Sequence, residues 1–404
     1  MIPYRWIIFT FVYFSFTTQY ISYLSWNPFI ALAEDLFGFQ MIQCSVIVSA
    51  IAIGRIVSQI PGGIIADKFP PKVVLISSLT ILGLITFLVS LKASFAIMLV
   101  GQFLISVSGV VIWPLAVKIV VDYFPQTRRD FMSGLLNTSA TIAVMGTNFF
   151  IPYLVFNYSW HAAFQIISFL CFLNVIILLI FMKRNGEKSE TSAPTKKRFN
   201  FNDVGLLLKN KGFLLTLAIF SGALYSAWGT NTWIPTYLVY KAQLPATTVG
   251  SMMAAFGIAG GIAMPVVGLI TKGDPKKKYR FLFCDYFALA ALLITISFTT
   301  SETLLWILMP CLGIATFGHM GPMNMIIADF IDSKIMGTAT AVALFTWQLT
   351  VVAQSLVIGK VLDFATSPSY YSSVAVILSF GACFACIAIL FIQKKLKNKE
   401  LVIQ

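Results

Sequence analysis

The sequence predicts an all-α membrane protein of twelve transmembrane helices in two pseudo-symmetric six-helix bundles. Three observations predict it. Uncharged runs of about 20 residues or more recur down the whole chain, each long enough to cross a bilayer as a helix. Lys and Arg collect in alternate loops between those runs, as the positive-inside rule requires of inserted helices. Landmarks of the first half return in the second at an offset of roughly 204–208 residues, the mark of a duplicated unit. Composition agrees: of 404 residues 58% are hydrophobic and only 11% charged, where a soluble chain carries about 25% charged.

The runs fall at 6–32, 42–66, 73–91, 95–122, 132–155, 161–182, 213–239, 246–271, 280–299, 303–328, 336–362 and 371–393. The first is too long for a cleavable signal and lacks a small-residue cleavage site. Basic residues place the loops. Arg5, Lys68, Lys72, Arg128, Arg129, the cluster from Lys183 to Lys211, the cluster from Lys272 to Arg280, Lys334 and Lys394 to Lys399 share one side. The other side holds only Lys92 and Lys241, and Arg55, Lys118 and Lys360 fall within spans. Both termini are therefore expected in the cytoplasm, in a multi-pass protein of the cytoplasmic membrane. The net charge of +13 reads as these loops; no nucleic-acid partner is expected. The six cysteines all lie in apolar runs, so no secreted disulfide framework is expected.

The polar, Ser-, Thr- and Lys-rich stretch 184–211 reads as a flexible cytoplasmic linker able to touch anionic lipid headgroups. It separates an N-terminal bundle, 1–183, from a C-terminal bundle, 212–404. The halves echo each other: Trp26-Asn27-Pro28 and Trp233-Ile234-Pro235, Pro61 and Pro265, Pro114 and Pro322, Asp122 with Arg128 and Asp329 with Lys334. Two such halves enclose a central cavity near the midplane.

One stretch, Gly62-Gly63-Ile64-Ile65-Ala66-Asp67-Lys68-Phe69-Pro70-Pro71-Lys72, joins the second and third runs. Its glycines allow close helix approach, Asp67 sits at a helix end where it can meet a base or a helix N-terminus, and Lys68 and Lys72 hold the turn in the cytoplasm. This resembles the loop between helices 2 and 3 of the major facilitator superfamily, with matches at Gly63, Asp67, Lys68 and Lys72; Pro70 stands where the family has glycine. Trp113-Pro114 through Asp122 to Arg129, and Trp160-His161-Ala162-Ala163-Phe164, also look like that family. The resemblance spans nearly the whole chain. It implies a secondary transporter, not an enzyme, working by alternating access as a monomer without cofactor or metal. By the same resemblance Gly63, Asp67, Lys68, Lys72, Asp122 and Arg128 serve the conformational change.

Polar groups inside spans are the candidates for solute contact, with packing as the competing reading. Arg55, in the second run, suits a carboxylate or phosphate because its guanidinium is a planar fork; bracing between helices is the alternative. Tyr20, Tyr23 and Asn27 in the first run, and Tyr225, Trp228 and Asn231 in the seventh, offer aromatics with amides, a cage for a flat or cationic group. Asn137 in the fifth and Trp347 and Gln348 in the eleventh add to the set. His319 reads as a proton-sensitive or solute-contacting group. No carboxylate sits mid-span in runs one, four, seven or ten, so a coupling proton would use His319, Asp67, Asp285 or the solute's own charge; exchange for a counter-solute, or facilitation, is the alternative.

The expected partner is therefore a small polar organic solute, anionic or zwitterionic. The Trp233-Ile234-Pro235-Thr236-Tyr237-Leu238 run looks like helix 7 of the anion-carrying branches. Two other readings stand beside it. One is a facilitative carrier resembling the choline and haem carriers, in which Tyr20 and Tyr225 would enclose the substrate. The other is a transporter-like solute sensor.

Overall fold

The computed structural model describes residues 4–182, 201–271, 275–324, 326–331 and 335–397. Among these every regular element is helical: α1 (Tyr4–Leu24), α2 (Asn27–Ile30), α3 (Ala33–Phe37), α4 (Met41–Lys68), α5 (Pro71–Val89), α6 (Phe95–Gly109), α7 (Ile112–Tyr123), α8 (Gln126–Asn157), α9 (Trp160–Phe181), α10 (Phe201–Lys209), α11 (Lys211–Tyr240), α12 (Ala246–Thr271), α13 (Pro275–Phe298), α14 (Glu302–Phe317), α15 (Met320–Asn324), α16 (Met336–Asp363) and α17 (Ser372–Lys397). Short 3-10 turns sit at Ile327–Asp329 and Pro368–Tyr371. Twelve segments are long and apolar enough to span a bilayer, close to the expected ranges.

Local chemistry sets the helix ends. Ser94 accepts from the Ile97 amide at 3.3 Å and Ser159 from that of Ala162 at 3.1 Å, which satisfies first-turn donors that have no helical partner. Asn210 does the same for Gly212 and Phe213, at 2.8 and 3.1 Å. Pro71 opens α5, where its missing N–H costs nothing. The stretch expected as a linker, 184–211, carries the short helix α10; residues 184–200 of it lie outside the described residues.

Three expected spans are interrupted. The first bends at Ser25–Trp26 between α1 and α2. The fourth, expected continuous over 95–122, breaks at Val110–Val111 between α6 and α7. The tenth, expected continuous over 303–328, breaks at Gly318–His319 between α14 and α15. Proline explains the restarts. Pro114 is the third residue of α7 and Pro322 the third of α15, where a first turn tolerates a residue that cannot donate. The two breaks are related by the same offset of about 208 residues as the prolines. Pro61 and Pro265 lie inside the unbroken α4 and α12.

Backbone contacts divide the chain into two units. The first comprises Met1–Ala193 with Ala246–Ala254, the second Pro194–Pro245 with Ala255–Gln404. The start of α12 groups with the first unit because Gly250 lies against Asn148 and Pro152 of α8. Within the first unit α1 packs on α8, α7 and α9, α4 on α6, and α5 on α6 and α9. Within the second, α11 packs on α17 and α16, and α13 on α17 and α14.

Small residues set the closest approaches, as expected where apolar lipid gives no hydrophobic drive between helices. A Cβ on Gly54 would stand 2.8 Å from the Phe103 carbonyl, and one on Gly381 2.6 Å from that of Gly222. Hydroxyls knit the same seams: Ser106 donates to the Ile51 carbonyl at 2.7 Å, Ser168 to Gly83 at 2.8 Å and Ser226 to Leu378 at 2.6 Å. The outer faces are apolar. Phe169, Ile176, Ile180 of α9 and Phe380, Phe384, Phe391 of α17 are exposed, at spacings of four and seven residues that line one face for lipid.

Candidate functional site

In the first unit the polar candidates gather where α1, α4 and the break in the fourth span meet. Tyr20 and Tyr23 are three residues apart and share a face of α1. Across from them, the Arg55 guanidinium carbon lies 4.2 Å from the Tyr23 ring centroid and 5.7 Å from that of Tyr20. The two rings meet edge to face, 6.0 Å apart. Phe16, one turn before Tyr20, touches Tyr20 at 4.8 Å and Trp113 of α7 at 5.0 Å. Gln19 presses on Gly109, the last residue of α6, where any side chain would collide with it.

The electrostatics of this cluster are unbalanced. Arg55 is half-buried, and its Nη1 is buried without a hydrogen-bond partner. Among the described residues the ion pairs are Lys278–Asp329 and His319–Asp285; Arg55 belongs to neither. A cation over an aromatic face gains about 0.5–2 kcal/mol, less than the several kcal/mol that taking a charge out of water costs. Nearby amides are equally unfilled: the Gln19 carbonyl oxygen and both polar atoms of the fully buried Gln102 have no partner. An anionic group with hydrogen-bonding capacity is what this arrangement lacks.

Other candidates of this unit behave differently. Asn27 is buried in α2. Asn137 is half-buried on α8, next to Thr138, which shares a 2.9 Å hydrogen bond with Tyr13. Asn148 is turned inward on its own helix, donating to the Val144 carbonyl at 2.8 Å.

In the second unit the rings of Trp228 on α11 and Trp347 on α16 lie 5.5 Å apart. Around them Asn231, with both polar atoms free, Gln348 through its carbonyl oxygen and Trp347 through Nε1 are buried without partners. Gln354, two turns past Trp347, is also buried and unpaired. Tyr225 is half-buried on α11, its ring close to Gly381.

His319 stands apart from the tryptophan pair in its chemistry. It is fully buried, and its Nδ1 lies 3.1 Å from Asp285 Oδ2 and 3.0 Å from the Ala315 carbonyl. Sequence reasoning names each residue without joining them, because they are far apart in the chain and on different helices.

The loop residues also take definite places. The close helix approach falls on Gly62, whose added Cβ would stand 3.5 Å from Val111 backbone, whereas Gly63 faces open space. Gly62 is eight residues from Gly54 and shares its face; Gly63 is turned away by about 100°. Lys72 donates to the Leu179 carbonyl at 3.0 Å and to that of Met182, capping the end of α9. Lys118, in sequence only a base within a span, donates to the Ala66 carbonyl at 2.9 Å, at the end of α4. Lys68 and Arg128 are exposed. The side chains of Asp67 and Asp122 lie outside the described residues.

Twelve spans, three of them broken with unpaired polar groups beside the breaks, are the architecture of a polytopic membrane protein with discontinuous helices, as membrane transporters have. The chain belongs to the Major Facilitator Superfamily, whose family model matches residues 6–355; it is a multi-pass membrane protein and not an enzyme. It is 25% identical over 396 residues to the probable galactarate/D-glucarate transporter GarP of Escherichia coli (strain K12), covering 88% of this chain and 87% of that one. It is 23% identical to the hexuronate transporter of Bacillus subtilis (strain 168), over 67% of this chain and 65% of the relative. It is 25% identical to the probable sulfoacetate transporter SauU of Cupriavidus necator, over 54% of each. The fold matches a bacterial homologue of the human lysosomal transporter Spinster with a TM-score of 0.80 at 14% identity, over 98% of both chains. It also matches a mutant of the nucleoside transporter NupG with a TM-score of 0.75 at 14% identity, over 95% of this chain and 98% of that one.

Proposed function

We propose that the protein is a secondary transporter that moves a small polar organic anion across the cytoplasmic membrane by alternating access, with Arg55 as the anchor for the anionic group. The observation that carries this reading is the Arg55 guanidinium, outside every described ion pair, between Tyr20 and Tyr23. A carboxylate or sulfonate there would complete a charge-assisted, forked interaction. The relatives support the same class: galactarate, D-glucarate, hexuronates and sulfoacetate are all small organic anions. Tyr20, Tyr23, Asn27 and Asn137 of the first bundle and Tyr225, Trp228, Asn231, His319, Trp347 and Gln348 of the second complete the proposed set. Bundles 1–183 and 212–404, joined by 184–211, would be the moving parts, with both termini cytoplasmic and Gly63, Asp67, Lys68, Lys72, Asp122 and Arg128 at the cytoplasmic gate. The protein would act as a monomer, coupled to a proton or a counter-solute.

The cation-cage reading loses ground on the same observation, since the Tyr20 and Tyr23 rings already face a guanidinium. The test is counterflow in proteoliposomes with labelled D-glucuronate, D-glucarate, galactarate, sulfoacetate, D-glucitol and choline. Exchange of at least one anion, its loss in Arg55→Ala, and no exchange of D-glucitol or choline is the expected pattern. Exchange of choline, or anion exchange undiminished in Arg55→Ala, overturns the reading.

A further inference from the structure

We infer that Asp285 and His319 together form the proton-carrying site of this transporter, an inference that rests on the reading of the chain as a secondary transporter. Asp285 lies on α13, eight residues past Lys277, about 12 Å along the helix by its rise. His319 occupies the two-residue break between α14 and α15. The contact is within one unit and wholly buried: the two side chains are 6% and 0% exposed.

The geometry assigns the protons. Nδ1 faces two acceptors, Asp285 Oδ2 and the Ala315 carbonyl, so it carries a hydrogen and donates to both. The remaining ring nitrogen, Nε2, is buried without a partner. With Nε2 bare, the pair holds one uncompensated negative charge away from water, which is costly. With Nε2 protonated, the pair is net neutral. One proton thus enters and leaves the pair, at Nε2 or at the Asp285 carboxylate, and the buried pair is net neutral with that proton on.

The neighbours leave this pair as the titrating unit. From α13, Tyr286 sets its ring edge-on to His319 at 4.9 Å, and its hydroxyl is buried without a partner. Cys284, also on α13, is exposed. From α17 come Cys383, exposed, and Cys386, whose thiol donates to the Phe283 carbonyl at 3.7 Å. From α12, Val267 approaches Gly318, and α14 supplies the Ala315 carbonyl. α11 carries charge only at its ends, at Lys211 and beyond it at Lys241. The other charges of this face, Lys278 and Asp329, pair with each other, and the Tyr279 hydroxyl donates to Asp329 at 2.7 Å.

The break ties the proton to the fold. In an unbroken helix the Ala315 carbonyl would accept the backbone N–H of His319, four residues on. Here the His319 ring supplies that hydrogen. The same imidazole therefore holds the proton and the joint between α14 and α15, which is how a proton can bias the shape of a discontinuous helix.

Two measurements test this. The chain has two histidines, so a histidine-labelled sample in detergent gives two magnetic-resonance signals, assigned with His319→Gln. The His319 signal is expected to titrate, with a midpoint that Asp285→Asn moves. A signal that does not change between about pH 5 and 9, or a midpoint indifferent to Asp285→Asn, overturns the inference. In proteoliposomes, D-glucuronate uptake by the wild type is expected to acidify the lumen. Asp285→Asn is expected to keep counterflow while losing proton movement by at least about tenfold. Proton-driven uptake undiminished in Asp285→Asn overturns the inference while leaving the anion reading intact. If no anion of the panel moves in the wild type, the functional reading falls, and the histidine titration still decides the proton site.

Discussion

Replacing Arg55 by methionine separates its two possible roles, because they predict opposite effects on stability. The guanidinium is held by two ring faces, at 4.2 and 5.7 Å, and by no carboxylate of a described ion pair. The nearer contact is worth about 1–2 kcal/mol and the farther about 0.5 kcal/mol. Removing such a charge from water costs several kcal/mol even after relaxation. The deficit is then about 1–3 kcal/mol, so Arg55→Met, similar in length and uncharged, should raise the melting temperature of the ligand-free protein by a few degrees. The same change should abolish anion recognition. Losing a buried charge pair costs about 3–5 kcal/mol, at least about a hundredfold in affinity. The assay is a thermal melt in detergent, with and without D-glucuronate, for wild type, Arg55→Met and Arg55→Lys. Wild type should gain stability from the anion and Arg55→Met should not. Arg55→Lys, which keeps the charge and loses the fork, should fall between them. A fall in the ligand-free melting temperature of Arg55→Met would refute the reasoning and make the arginine a structural brace.

Two further outcomes follow from the packing. Gly222→Ala should lower the melting temperature by the equivalent of about 1–3 kcal/mol, because its Cβ would meet the Gly381 carbonyl at 2.5 Å and the Ala385 nitrogen at 3.1 Å, backbone that can yield only if α11 and α17 separate. Gly146→Ala, with nothing within 4 Å, should be neutral or stabilising by up to about 1 kcal/mol; equal effects at the two sites would contradict the helix spacing. Lys72→Ala should cost about 1 kcal/mol through the lost cap on α9, whereas Lys68→Ala, on an exposed side chain, should change a melt little.

Much of the fold was legible because a bilayer is a one-dimensional filter. Hydropathy and length alone find the spans, and they found all twelve close to their ranges in the structure. The duplication was visible in landmarks such as Pro114 and Pro322, which the structure puts at the same position of two restarted helices. The interruptions themselves were not visible. Val110–Val111 and Gly318 are as apolar or small as their surroundings, His319 marks a polar site rather than a helix end, and a break shows only in which carbonyls find donors.

The site was legible in part. Arg55 was conspicuous because a guanidinium in an apolar run is costly. Its contact with Tyr23 was not, since it depends on how α1 and α4 are turned about their axes. Gln102 carries no charge to make it conspicuous in the sequence, yet it is fully buried with its whole amide unpaired. Gly62 and Gly63 are neighbours in sequence, and only the rotation of α4 made one a contact and the other a free face.

The sequence by itself determined that this chain lives in a membrane, how many times it crosses, and that its halves are copies. These depend on the transfer of whole segments from water to lipid, a sum over residues that needs no partner. Only the tertiary structure decided that Asp285 answers His319, that Tyr20 and Tyr23 hold Arg55, and that Lys72 caps α9. Those depend on distances of a few ångströms between helices, and a polar group's energy in an apolar medium is set by what it touches.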